Sequence, residues 1–63
     1  MKFRVAFAVS GDNCWGKFSR YNLKDICILA DRYSLREREL EFIVTMKPSQ
    51  LFKNEDMKIE RLP

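Results

Sequence analysis

The sequence predicts a small α+β domain: a three-stranded sheet built from a β-hairpin, a helix and a last strand, with the one helix packed on one sheet face. Three observations carry this. Phe3, Val5, Phe7 and Val9 alternate with Lys2, Arg4, Ala6, Ala8 and Ser10, the period of a strand with one buried face. Leu23, Ile26, Cys27, Ala30 and Tyr33 recur at helical spacing behind Asn22, a good N-cap residue. Phe42-Ile43-Val44-Thr45 is a run of aromatic and β-branched strand formers.

Taken in order, the first strand meets turn chemistry at Gly11-Asp12-Asn13, where Gly and Asn tolerate positive φ and Asp bonds its own backbone. A return strand follows from about Trp15 to Tyr21. Its alternation puts Phe18 on one side and Trp15, Lys17, Ser19 and Tyr21 on the other. The helix runs from about residue 23 to 33, with Asp25 in its first turn complementing the dipole. Ser34-Leu35-Arg36-Glu37 reads as a capping box, so the stretch to Lys47 is ambiguous. The alternation of Leu40, Phe42, Val44 and Met46 favours a strand over 40–47, ended by Pro48. The ordered core then spans about 2–48. Residues 49–63, with sparse apolar positions at Leu51, Phe52, Met57, Ile59 and Leu62, are expected to form a short turn and a frayed end.

A chain of 63 residues fits one domain at most, and at this size folding buries only about 60% of the unfolded surface. With 46% hydrophobic and 33% charged residues it is too apolar to remain unfolded. The apolar run Val5 to Val9 is shorter than a secretory signal or a membrane span needs, so the cytoplasm is the default location. Residues 1–33 carry six basic side chains against three acids, which accounts for the net charge of +3, while residues 34–63 balance. Such an excess favours an acidic protein surface or nucleic acid as partner.

The chemistry of catalysis is largely missing. The chain has no His, so the commonest general base is absent and a structural zinc lacks ligands; no cofactor or metal is expected. The two glycines, Gly11 and Gly16, make no phosphate loop. Glu37, Glu39 and Glu41 line a solvated edge in the strand reading, Cys14 has no base near it in sequence, and Cys27 packs as an apolar residue.

With one helix covering one face, the other sheet face, carrying Lys2, Arg4, Ala6, Ala8, Lys17, Ser19, Tyr21, Ile43 and Lys47, stays open. Trp15 beside a turn is hard to bury, and Trp, Tyr and Arg most often dominate interface energetics. The candidate partner-binding residues are therefore Arg4, Trp15, Lys17, Arg20, Tyr21 and Lys47.

The order hairpin, helix, strand, with Asn22-Leu23-Lys24-Asp25 opening the helix, Leu29-Ala30-Asp31 within it and Phe42-Ile43-Val44-Thr45 in the last strand, resembles the small inhibitor of bacterial RNA polymerase made by T7-like phages. The resemblance spans residues 3–48 and implies a compact phage-encoded protein that blocks a host enzyme in the host cytoplasm by surface complementarity. Where that family continues its last strand with arginines, this chain has Met46 and Lys47. The leading expectation is a non-enzymatic protein-binding inhibitor or regulator acting on a host protein. The alternatives are a small nucleic-acid-binding module, suggested by the interleaved Lys17, Phe18, Arg20, Tyr21 and Lys24, and a homodimer formed through a free strand edge.

Overall fold

Two helices and an antiparallel sheet make up the computed structural model, which describes residues 1–9 and 14–63. The α+β class expected from the sequence is present, with more strands than three and a second helix. The elements are β1 (Lys2–Val9), β2 (Cys14–Trp15), β3 (Ser19–Asn22), α1 (Leu23–Arg32), α2 (Glu37–Val44), β4 (Leu51–Lys53) and β5 (Met57–Arg61). The turn expected at Gly11-Asp12-Asn13 lies outside the described residues.

β1 is paired on both edges. One edge takes β3 over Lys2 to Val5 and β2 over Ala8 and Val9, and the other takes β5, with β4 beyond it. Residues paired across antiparallel strands share a face. Phe3, Val5 and Phe7 therefore lie with Tyr21, Met57, Ile59 and Phe52 on one side, beneath the helices. Ile26 and Leu29 of α1, Ile43 of α2 and Met46 just after it close over them.

The capping of α1 is as the sequence predicts. Asn22 Oδ1 accepts the Asp25 N–H at 2.8 Å, and Asp25 Oδ2 accepts the Asn22 N–H at 3.1 Å. Its end is less obvious. The Leu35 N–H donates to the Ala30 carbonyl at 2.9 Å and the Ser34 N–H to that of Asp31 at 3.2 Å, a Schellman closure. Ser34, at φ 54°, fills its left-handed position. Ser34 thus ends α1 and caps no second helix. That role falls to Arg36, whose N–H donates to Glu39 Oε1 at 3.0 Å. Cys27 is exposed, not packed.

Two expectations are corrected. Residues 40–47 are not a strand: 37–44 form α2, in which Leu40 and Ile43, followed by Met46, turn inward at helical spacing while Phe42 is 46% exposed. The local capping pattern and tertiary burial outweigh strand propensity there. Residues 49–63 are not a frayed end. The Lys47 to Gln50 turn has Pro48 second and Ser49 third at φ 73°, which is type II geometry, and the Gln50 N–H donates to the Lys47 carbonyl at 3.0 Å. β4 follows, then a hairpin in which Asn54 Oδ1 accepts the N–H groups of Asp56 (2.7 Å) and Met57 (2.9 Å). β5 then places Met57 and Ile59, both fully buried, in the centre of the core.

Two measurements check this account. Ser34→Gly and Ser49→Gly relieve left-handed serines, so each should stabilise the fold by about 0.5–1 kcal/mol, raising Tm by roughly 2–8 °C for a domain this size. Ile59→Ala should cost about 2–5 kcal/mol. That is comparable to the roughly 3–5 kcal/mol one core of this size supplies, so circular dichroism should find the variant largely unfolded. A frayed 49–63 segment would leave it native.

Candidate binding face

The sheet face away from the helices is assembled by one irregularity in the return strand. Ala8 pairs with Trp15 and Val5 with Ser19, so two residues of β1, Ala6 and Phe7, face three residues, Gly16, Lys17 and Phe18. This is a β-bulge, held by the Gly16 N–H donating to the Phe7 carbonyl at 2.8 Å. The extra residue reverses the facing of every side chain after it.

That reversal redistributes the expected site. Trp15, before the bulge, lies on the open face opposite Ala8 as expected. Tyr21, expected beside it, is opposite Phe3 on the helix side, half-buried and edge-on to Phe7 at 6.4 Å. Ser19 moves to the helix side with it, opposite Val5. Arg20 takes the open position opposite Arg4. Phe18, expected inside, lies under the Arg4 guanidinium at 4.4 Å. Lys17 is exposed within the bulge. Lys47 belongs to no strand and lies in the turn after α2, its N–H donating to Gln50 Oε1 at 2.7 Å. Ile43, expected on the open face, is fully buried in the core.

β4 and β5 supply what the sequence reading missed. Lys58 is opposite both Ala6 and Lys53, Glu60 is opposite Arg4, and Leu51 is opposite Glu60. The alternation of Met57, Ile59 and Arg61 with Lys58 and Glu60 was the available signal, and Asn54-Glu55-Asp56 was its turn.

The face therefore carries Lys2, Arg4, Arg20, Lys53 and Lys58 against one acid, Glu60, which pairs with the Arg4 guanidinium. Of twelve basic and nine acidic residues in the chain, this leaves seven basic and eight acidic elsewhere. The modest net charge thus conceals one strongly cationic face. Trp15 lies across its middle, with the Lys58 ammonium 4.5 Å and the Lys53 ammonium 5.7 Å from its ring centre. Ala6 points to this side with no helix above it and is still fully buried. The aromatic and cationic side chains around it form a second, thin packed layer.

Arg4 opposite Arg20 and Lys53 opposite Lys58 are like-charge cross-strand pairs, an arrangement that destabilises a sheet. Among the described residues no cluster of metal-ligating side chains occurs, and no helix is long and apolar enough to cross a membrane. No family model, no curated protein and no solved structure matches this chain. What the fold and face define is a class, a small sheet-and-helix protein with one uncovered cationic, aromatic-centred surface.

Arg20→Glu replaces a repulsive pair with an attractive one. It should stabilise the protein by about 0.2–1 kcal/mol in low salt, a gain that thermal melts should show shrinking in about 0.5 M salt.

Proposed function

We propose that this protein is a small non-catalytic inhibitor or regulator that docks the open sheet face on an acidic surface of another protein. The observation that carries this reading is the gathering of five cations against one acid on this face, among them two like-charge pairs set across the sheet, Arg4 opposite Arg20 and Lys53 opposite Lys58. Neither arrangement helps the fold in a chain with little stability to spare, so the concentration of cations is explained by what it meets, not by what it holds together. The layout also fits an interface, since Trp15 and two arginines, side chains that often dominate binding energetics, share the face with the lysines. The molecule measures 30 × 24 × 16 Å, so its broad face is on the order of the ~800 Å² each partner contributes to a standard interface.

A host enzyme, such as the RNA polymerase implied by the resemblance to phage inhibitors, is the finer form of this proposal. With Phe42 to Val44 in α2, that likeness rests on the hairpin and first helix.

One observation favours a second reading. Two aromatic rings among cations on an open sheet suit single-stranded nucleic acid, whose bases stack while its phosphates pair. Arg4 and Lys58, however, already sit over the rings of Phe18 and Trp15.

The test compares the parent with Arg20→Glu/Lys53→Glu, each change placing an acid opposite a cation so that folding is favoured. At moderate salt the parent should retain a specific protein from a bacterial lysate. The double variant should lose it, and a Lys24→Glu/Lys47→Glu control of equal charge, off the face, should keep it. Identical recovery by all three sinks the proposal. Submicromolar binding of an oligonucleotide that weakens steeply with salt gives the second reading instead.

A further inference from the structure

A second surface lies at the sheet's edge. α2 overhangs β4 to leave an open groove of about 560 Å³, whose apolar wall is Phe42 and Phe52, with Leu51 at its rim. Phe42 is 46% and Leu51 52% exposed, large values for such side chains on adjacent elements. Phe42 and Phe52 are in ring contact at 6.1 Å, so the wall is continuous. Arg36, Arg38 and Lys53 flank it. The one acid in the lining, Glu39, is committed to the Arg36 amide as the cap of α2.

The backbone beside this groove is a free strand edge. The Gln50 carbonyl accepts from Arg61 and the Asn54 N–H donates to Met57, which fixes the ladder phase of β4. Phe52 bonds inward to β5, while the N–H and C=O groups of Leu51 and Lys53 point away from it. These groups can accept a further strand.

We propose that the groove takes an extended acidic segment of a partner protein, added to the sheet as a strand on the outer edge of β4. Its backbone would pair with Leu51 and Lys53. Side chains on the helix side would alternate between an apolar one against Phe42 and Phe52 and acidic ones toward Arg36 and Arg38. The charge excludes the other obvious occupant, a second copy of this chain. Antiparallel pairing of two β4 strands would bring both copies' Arg36, Arg38 and Lys53 together. The inference is carried by a different observation from the open-face reading, the unpaired edge of β4, although Leu51 and Lys53 border both surfaces.

The probe is an end-capped peptide about eight residues long, alternating glutamate and valine around a central phenylalanine, titrated into the ¹⁵N-labelled full chain. Hydrogen exchange at the Leu51 and Lys53 amides should slow at least about tenfold, with chemical-shift changes concentrated in 36–42 and 51–53. Lys53→Pro removes only an outward N–H, so β5 pairing survives while affinity should fall at least about tenfold. Lys53→Gln, which keeps the N–H, should lose no more than about threefold, the size of one exposed charge contact. Arg38→Glu, on an exposed helix position, should also weaken binding. Binding without slowed exchange at Leu51 and Lys53 overturns the proposal. So does equal affinity for the same peptide with lysine in place of glutamate, no binding up to about 1 mM, or protection of those amides by self-association alone.

Discussion

The pairing of β1 with β5 is the contact on which the rest of the molecule depends. It brings the two ends of the chain together, placing Val5 opposite Ile59 and Phe7 opposite Met57, and these side chains form the floor of the core. A chain this short has no second core to fall back on. Without β5, β4 has no partner and the core that Ile43 and Met46 close over loses Met57 and Ile59. The backbone reinforces the closure: the Leu62 N–H donates to the Lys2 carbonyl, and Arg61 reaches the Met46 carbonyl after α2. With so little stability in reserve, any arrangement that costs a few tenths of a kcal/mol is informative.

The open face contains such arrangements, and the bulge creates one of them. Had the return strand stayed in phase, Arg20 would have faced the helices and Tyr21 the solvent. The extra residue instead sets Arg20 against Arg4 and leaves Phe18 to be covered by the Arg4 guanidinium. From the same edge, Trp15 reaches across the face to lie close to both lysines of the second repulsive pair. An exposed cation–π contact contributes about 0.5–1 kcal/mol, the same size as the roughly 0.2–1 kcal/mol of a cross-strand charge pair. The ring therefore offsets the repulsion without neutralising either charge. The face remains cationic toward a partner while being tolerable to the fold.

How much of this was legible in the sequence differs by element, for identifiable reasons. β1 and α1 declare themselves because each carries a sustained period and, for α1, a cap whose two hydrogen bonds both form. α2 was hidden because Phe42-Ile43-Val44-Thr45 is locally strand-like, and burial of Ile43 and Met46 in the core, with the Arg36–Glu39 cap, decides for a helix. β5 was hidden because five alternating residues after a charged turn are weak without their partner strand. The candidate face followed suit. Arg4, Trp15 and Arg20 lie on the open face, Arg20 only because the bulge turns it there. Tyr21 was misplaced by the phase reversal, Lys47 by the helix. Lys53 and Lys58 were missed because recognising them requires knowing that the chain's end lies beside its beginning.

β4 is where the two proposed surfaces meet, and Lys53 belongs to both. Side chains leave a strand perpendicular to the direction of its backbone hydrogen bonds. The Lys53 ammonium therefore faces Trp15 on the open side while its N–H and C=O face outward along the sheet. A strand added at the edge does not have to displace the ammonium, and a partner on the open face does not have to break the edge. An acidic chain turning around β4 could engage both in sequence, the first contact holding the second at high effective concentration. If both proposals hold, the two surfaces are contiguous through β4 and one partner can meet them together.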